Sequence, residues 1–171
     1  MALYVITGGP CSGKTTLISK LSEMGYITVP ESARIIIDEH ARRGVKIEDE
    51  RRNDLDFQKR VLEMKIRSEE GLPKDKTVFL DRGIPDTIAY YRLLGFDVKE
   101  IIDLCKERRY KKIFLLEQLP FVKDYARIED AKTASTLSNL LLQAYSDLGY
   151  EIVIVPPVSV KERLDIVLSH I

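Results

Sequence analysis

The chain has 171 residues, of which 27 are lysine or arginine and 27 are aspartate or glutamate, so its formal net charge at pH 7 is zero. This balance makes nucleic acid or an anionic membrane an unfavoured main partner, although a local basic patch is still allowed. The length suits one domain, residues 1–171, with a full hydrophobic core. Since no apolar run reaches the ~20 residues of a membrane span and no signal peptide precedes the first predicted strand, we expect a cytoplasmic protein.

The first predicted strand, residues 3–7, runs directly into a glycine-rich stretch, residues 8–15, that reads GGPCSGKT. This stretch fits the pattern G-x-x-x-x-G-K-[ST] at every fixed position, and apolar residues at helical spacing predict a helix over residues 15–24. Glycines let the backbone curl around an anion, and the start of the helix presents free N–H groups and the positive end of its dipole. The pattern predicts a phosphate-binding P-loop, with nucleotide contacts from Gly9, Pro10, Cys11, Ser12, Gly13, Lys14, Thr15 and Thr16.

Two side chains of this loop have specific predicted roles. Lys14 can bridge the β- and γ-phosphates of a nucleoside triphosphate, and the Thr15 hydroxyl can ligate Mg²⁺. A glycine turn that binds nothing is the alternative. The flanking strand and helix are the context that the phosphate-binding pattern requires, so they favour the functional interpretation.

A second strand is predicted over residues 26–29, and a helix over residues 31–43. In open parallel sheets ligands lie beyond the carboxyl ends of the strands, so Glu31, just after this strand, could face the P-loop. The alternative is that Glu31 is an acidic first-turn residue favoured by the helix dipole, with Arg34 as its partner.

A third strand, residues 77–81, is apolar and ends in a carboxylate, Asp81. A buried strand that ends in aspartate is the Walker B pattern, and the carboxylate would hold Mg²⁺ opposite the Thr15 hydroxyl. Arg82 follows, and a fixed guanidinium at this place can pair with a phosphate or a carboxylate. An internal ion pair of Arg82 with Asp81 or Asp86 is the alternative.

Two further candidates lie outside these strand ends. A charged helix is predicted over residues 48–70, where Gln58 could direct its amide toward a substrate, although a lone glutamine on a helix is more often exposed. After a fourth strand, residues 112–116, the segment 120–130 is placed where a lid over the phosphates belongs. Its Arg127 could neutralise charge on the transferred phosphoryl group, or pair with a neighbouring carboxylate.

The remaining elements complete an alternation of strands and helices. A fifth strand is predicted over residues 151–155, and the turn after it, including Pro157, is expected to border the nucleotide base. Basic residues at the end of the helix predicted over residues 98–109 favour a solvated helix cap over a nucleic-acid patch. Further helices are predicted from residue 84 to Gly95, over 131–148 and over 160–171.

Taken together, the motifs resemble a family of small P-loop proteins described as AAA-type ATPases. They also resemble nucleoside and nucleotide kinases, especially ribosylnicotinamide kinase domains and the thymidylate and deoxynucleoside kinases. The resemblance covers nearly the entire chain. It is carried by residues 8–15, the ESAR stretch at 31–34, Phe57–Gln58, the FLDRGIPD stretch at 79–86, and Asp124, Arg127 and Glu129.

This resemblance implies an α/β, P-loop NTPase fold: a five-stranded parallel sheet of order 2-3-1-4-5, with helices on both faces and a short lid. It implies that Glu31 is the base that accepts the proton of an acceptor hydroxyl. It also implies that Asp81 with Arg82 handles metal and substrate, and that Arg127 clamps phosphate.

The expected activity is phosphoryl transfer from ATP, or from GTP, with Mg²⁺, to a hydroxyl or phosphate of a nucleoside- or nucleotide-like small molecule. No N-K-x-D element for reading guanine is visible, which favours ATP. One alternative is a nucleotide-dependent switch or slow NTPase whose output is binding to a protein or a phosphoinositide. A nucleic-acid end kinase is a further alternative, which would need a basic track beside the P-loop.

Overall fold

The structure, a computed structural model, describes residues 2–44, 54–107, 110–119 and 131–171. Five strands form one sheet in which every neighbouring pair is parallel, in the order β2-β3-β1-β4-β5. The strand order that the resemblance implied is therefore confirmed. The strands are β1 (Ala2–Thr7), β2 (Ile27–Val29), β3 (Thr77–Asp81), β4 (Lys112–Leu116) and β5 (Ile152–Val155).

Helices connect the strands and cover both faces of the sheet. Parallel strands need crossover connections, which is why apolar runs alternate with helical periodicity along the sequence. The described helices are α1 (Lys14–Glu23), α2 (Ser32–Arg42), α3 (Asp54–Glu70), α4 (Asp86–Leu94), α5 (Lys99–Lys106), α6 (Ala131–Asp147) and α7 (Val160–Leu168).

The central strand β1 is buried on both faces because successive side chains point to opposite sides of a strand. Tyr4 and Ile6 pack with α1 and α7 in one core cluster. Leu3 and Val5 pack on the opposite face with Tyr145 of α6. This two-sided burial fixes the register of β1, and with it the position at which the P-loop leaves the sheet.

The predicted element boundaries hold to within a few residues, with local reasons for the differences. The helix after β2 begins at Ser32 because Glu31 has an extended backbone, with ψ of 116°. The last helix ends at Leu168 rather than at residue 171. The predicted start of α3 at residue 48 and the predicted lid, residues 120–130, lie outside the described residues.

Candidate active site

The P-loop leaves the carboxyl end of β1 and closes at the first turn of α1. Gly13 has a φ of +81°, in the left-handed region that glycine adopts without strain, and its carbonyl accepts the first helical hydrogen bond of α1, from Leu17 N–H. Gly8 and Gly9 are required for a different reason. A Cβ on Gly8 would lie 2.5 Å from the carbonyl oxygen of Leu116, and one on Gly9 would lie 2.5 Å from Ser138 Oγ.

Lys14 lies across the loop that precedes it. Its Nζ donates to the Gly9 carbonyl at 2.9 Å and to Ser12 Oγ at 3.3 Å, and the side chain is buried. Burial, with the positive charge of Arg82, lowers the pKa of Lys14 to about 8, although Glu31 and Asp81 oppose the shift. The ammonium group is thus held by oxygen atoms of the loop itself, while the side chains of Thr15 and Thr16 are exposed.

Asp81 ends β3 beside the strand that feeds the P-loop. Its Cα pairs with Ile6 in the β1–β3 ladder, two residues before the loop begins. The residue is 4% exposed, and its Oδ1 is buried without a hydrogen-bond partner among the described residues. Burial, reinforced by the negative charge of Glu31, raises the pKa of Asp81 to about 6.

A buried carboxylate oxygen without a partner is costly unless a cation binds it, so Asp81 fits the predicted role of magnesium ligand. The exposed hydroxyl of Thr15 supplies a second oxygen of the type that Mg²⁺ prefers. Within the described ranges no cluster of three or more His, Cys, Asp or Glu side chains could hold a metal. A magnesium site here would therefore be one that takes most of its ligands from water and phosphate, as is usual for Mg²⁺.

Arg82 follows Asp81 in an uncommon backbone conformation, with φ of +70°. Its Nε donates to Glu31 Oε1 at 2.8 Å, and its Nη1 donates to Asp86 Oδ1 at 3.0 Å. The guanidinium also lies over the ring of Tyr90, 5.5 Å from its centroid. The predicted alternative of an internal ion pair with Asp86 is therefore present, and a pair with Glu31 accompanies it.

Glu31 faces the site and not its own helix. It occupies the N-cap position of α2 without a side-chain capping bond, and its carboxylate pairs with Arg82. Arg34, the alternative partner, pairs with Asp38 instead. Burial would raise the pKa of Glu31, but the charges of Arg82 and Lys14 outweigh it and lower that pKa to about 2. The side chain is thus an ionised hydrogen-bond acceptor throughout the neutral range.

Gln58 is buried, not exposed as a lone helical glutamine usually is. Its amide makes no hydrogen bond to the part of the chain that the structure describes. Phe57 beside it packs with Ile36 of α2. The candidate Arg127 lies outside the described residues.

A mainly apolar cavity of about 190 Å³ lies on the α1 side of the P-loop. Pro157, predicted to border the nucleotide base, is exposed next to this cavity, and the three residues after it form part of the lining. The lining residues are Gly13, Thr16, Leu17, Leu119, Val158, Ser159, Val160 and Arg163.

Arg163 of α7 was missed by sequence reasoning. Its Nε donates to the Pro156 carbonyl at 2.9 Å, Nη1 to the Ser12 carbonyl at 2.5 Å, and Nη2 to the Glu117 carbonyl at 3.4 Å. It therefore joins the P-loop to the turns after β4 and β5. The available signal was weak: Arg163 lies four residues before Val167 on the buried face of an amphipathic helix.

Lys65, Asp86 and Tyr145 are three further buried polar residues near Arg82 that the motifs did not identify as functional. Asp86 was noted only as an alternative partner of Arg82. Lys65 lies four residues after Val61 and four before Glu69, on the buried face of α3, which is a pattern that the sequence does contain.

The parallel sheet of order 2-3-1-4-5 and the glycine-rich loop between its central strand and α1 define a P-loop fold. The chain belongs to the family described as AAA domain, whose model matches residues 3–163. No curated protein matches its sequence. Of the helices in the described ranges, none combines the length and the apolar character that crossing a bilayer requires.

Solved structures with the same fold include three that were anticipated from the motifs. NadR protein in complex with NR is 16% identical, with a TM-score of 0.70, over 99% of this chain and 49% of that one. The thymidylate kinase from Ehrlichia chaffeensis is 18% identical, with a TM-score of 0.66, over 98% and 97% of the two chains. Deoxyadenosine kinase from M. mycoides with bound dATP is 13% identical, with a TM-score of 0.65, over 98% and 97%. The present chain spans about half the length of NadR. The predicted resemblance is thereby confirmed, and at these identities it establishes a shared fold.

Proposed function

We propose that this protein is a magnesium-dependent kinase that transfers the γ-phosphoryl group of ATP to a hydroxyl of a small nucleoside-like acceptor. One observation carries the proposal: the P-loop lysine, an unpartnered metal-type carboxylate and an arginine–glutamate pair converge at one edge of the sheet. Lys14, Glu31, Asp81 and Arg82 lie close enough for their charges to shift one another's pKa values.

The donor half of the site is the P-loop with the neighbouring apolar cavity. The backbone N–H groups of residues 9 and 11–16, with the Lys14 side chain, would hold the phosphates. The cavity lies against Gly13 and Thr16 and is lined by Leu17, Leu119 and Val158, a surface suited to a flat, largely apolar base. The apolar lining and the absence of an N-K-x-D element for reading guanine both favour ATP as the donor.

Mg²⁺ would be held by Asp81 and Thr15 and would supply neutralisation of the phosphate charge. Asp81 must be ionised to bind it. Because the pKa of Asp81 is about 6 without metal, magnesium affinity should rise as the pH increases through 6.

The Glu31–Arg82 pair favours a hydroxyl over a phosphate as acceptor. A hydroxyl needs one hydrogen-bond acceptor and tolerates one donor, and the carboxylate and guanidinium provide both. A phosphate would have to separate Arg82 from Glu31, since the two further described cations that act on Glu31 already donate to backbone carbonyls, Lys14 to Gly9 and Lys65 to Gly83. The buried amide of Gln58 is a candidate contact to the rest of the acceptor.

In this proposal the first role of Glu31 is to orient the acceptor hydroxyl. A carboxylate with a pKa near 2 is a weak base, but a loose phosphoryl-transfer transition state asks for little proton removal before the new bond forms. Glu31 fixes the direction of the hydroxyl and takes its proton late, while Arg82 and Arg127 would neutralise charge on the transferred group.

The proposal is tested by measuring ADP release across nucleosides, nucleoside monophosphates and ribosylnicotinamide, with each product identified by mass. A nucleoside-like compound should accelerate ADP release, whereas its own monophosphate should not. If monophosphates are the better acceptors, the hydroxyl assignment is wrong. Hydrolysis that no acceptor accelerates would favour the nucleotide switch.

Two variants separate the roles within the site. Lys14→Ala should abolish transfer through loss of phosphate binding. Glu31→Gln should retain ATP binding but lose about a hundredfold in kcat, because the amide cannot accept a proton. Unchanged acceptor phosphorylation in Glu31→Gln, with Lys14→Ala inactive, would contradict the assignment of Glu31.

A further inference from the structure

A cluster of buried polar groups surrounds the peptide between Arg82 and Asp86, and the proposed reaction does not use it directly. Asp86, at the start of α4, is completely buried, and its carboxylate accepts four hydrogen bonds. Thr7 Oγ1 at 2.7 Å and Arg82 Nη1 at 3.0 Å donate to Oδ1. Gly83 N–H at 3.1 Å and the Tyr145 hydroxyl donate to Oδ2.

Four donors match the number of lone-pair directions that a carboxylate offers. Asp86 therefore has no lone pair left to bind a metal, a hydroxyl or a phosphate, although it contacts Arg82 of the site directly. Its donors come from the end of β1, from the turn after β3 and from α6. It ties together the two strand ends that carry the P-loop and Arg82.

Lys65 of α3 fastens the same turn from the other side. Its buried Nζ donates to the Gly83 carbonyl at 2.9 Å and to Thr87 Oγ1 at 3.4 Å. The N–H group of Gly83 is bound by Asp86 and its carbonyl by Lys65, so this backbone unit is held at both ends. A Cβ on Gly83 would lie 2.8 Å from the Tyr145 hydroxyl, so the turn also depends on the absence of a side chain there.

The result of this bonding is a fixed guanidinium. Arg82 has a left-handed backbone, which a non-glycine residue keeps only when its surroundings impose it. Nε is bound to Glu31 and Nη1 to Asp86, while Nη2 makes no hydrogen bond within the described residues. The remaining N–H edge of the guanidinium, which includes Nη2, therefore has a fixed orientation.

We propose that Asp86, assisted by Lys65, is a positioning residue that fixes the turn and guanidinium of Arg82 so that its free N–H edge meets the transferred phosphoryl group. The inference rests on the proposed kinase function for its kinetic consequence. Its structural part, that Asp86 immobilises Arg82, stands independently of any activity.

The kinetic test is a double-mutant cycle of Asp86→Asn and Arg82→Gln. Asp86→Asn should lower kcat by about ten- to a hundredfold, because misplacing a catalytic group by about 1 Å has effects of that size, and it should leave the KM for ATP nearly unchanged. In the Arg82→Gln background the same substitution should have almost no further effect on kcat. Equal losses in both backgrounds would overturn the proposal.

Two matched variants guard against loss of folding. Tyr145→Phe removes one donor to Asp86 without altering charge and should give a smaller loss of kcat. Tyr150→Phe is the matched control, because its hydroxyl accepts from Tyr110 N–H at 3.4 Å and donates to no residue of the turn 82–86 in any described hydrogen bond. It should leave kcat unchanged. A fall in kcat as large for Tyr150→Phe as for Tyr145→Phe would contradict the proposal.

A spectroscopic readout separates this proposal from the kinase assignment. In the wild-type protein the Nε–H proton of Arg82, assigned by its absence in Arg82→Gln, should exchange slowly with water. In Asp86→Asn and Lys65→Met its exchange should accelerate by at least about tenfold, as expected when a buried polar network is broken. If the wild-type protein transfers no phosphoryl group but this change is seen, the kinase proposal fails and the positioning role stands. Unchanged exchange would overturn the positioning role even in an active enzyme.

Discussion

Asp81 combines two properties that oppose each other in the metal-free protein. Its Oδ1 is buried without a partner, and burial raises its pKa from 3.8 to about 6. The folded state therefore favours the protonated carboxyl. Its contribution to stability is complete below the unfolded pKa near 4 and is lost as the pH rises through 6. At neutral pH the metal-free protein therefore bears the cost of a buried, ionised carboxylate.

Asp81→Asn should remove this cost. At pH 8 without Mg²⁺ we expect the variant to be more stable than the wild type by about 1 to 3 kcal/mol, and we expect the difference to shrink toward pH 4. Urea unfolding at the two pH values measures it. The same variant should lose magnesium-dependent transfer. A stability difference that grows on acidification would contradict the proposed ionisation of Asp81.

At the scale of elements, the P-loop lies close against α6. Gly9 has no room for a Cβ because Ser138 Oγ and the Ala134 carbonyl would lie 2.5 and 3.1 Å from it. Ser138 Oγ is itself held by a hydrogen bond to the Ala134 carbonyl at 3.0 Å. The packing of α6 thus fixes the position of the P-loop relative to the sheet.

Gly9→Ala should destabilise the protein by about 1 to 3 kcal/mol and weaken ATP binding, because the added methyl displaces either Ser138 or the loop. Adding Ser138→Ala should restore part of the loss in a double-mutant cycle. Gly71→Ala is the matched control, since its nearest atoms would be 3.7 Å away. Equal effects of Gly9→Ala and Gly71→Ala in thermal unfolding would show that the close approach is not present in solution.

The contacts of α7 lead to a second prediction between elements. Arg163→Met retains the apolar stem but leaves the carbonyls of Ser12, Glu117 and Pro156 without their donor. We expect a loss of about 2 to 4 kcal/mol in unfolding free energy and a weaker affinity for ATP, with the acceptor KM nearly unchanged. Calorimetric titration with ATP measures the second effect. Arg163→Lys should recover only part of it, because one ammonium cannot reach three carbonyls.

The sequence predicted those site residues whose position depends only on neighbouring residues in the chain. The P-loop, Asp81 and Glu31 could be predicted because each depends on a strand end and a few adjacent residues. The ion pair of Asp86 with Arg82, four residues away, was also within reach. The bonds of Arg163 to Ser12, of Asp86 to Thr7 and of Tyr145 to Asp86 were not, since they connect residues 151, 79 and 59 positions apart. Gln58 was a candidate, but its burial and that of Lys65 were not expected, because a charged helix gives little indication of which of its polar residues face inward. The pairing of Glu31 with Arg82 likewise depends on the order of the strands, which the motifs implied only through resemblance.

For the protein as a whole, ligand binding should be visible as stabilisation. At an ATP·Mg²⁺ concentration about 100 times Kd the native state gains about 2.7 kcal/mol, which for a domain of this size corresponds to roughly 5 to 10 °C in Tm. Differential scanning fluorimetry with and without Mg²⁺ measures the shift. Asp81→Asn should lose the part of the Tm shift that depends on magnesium. Lys14→Ala should lose most of the shift that ATP gives without magnesium. No shift in the wild type at millimolar ATP·Mg²⁺ would contradict nucleotide binding.

The Arg163 contacts also bear on the order of folding. The side chain that bonds the Ser12 carbonyl lies 151 residues away from it in the sequence. Contacts between residues so far apart form slowly, because the entropy of closing a long loop must be overcome before the contact can contribute. We therefore expect the P-loop to reach its final conformation only after α7 has docked.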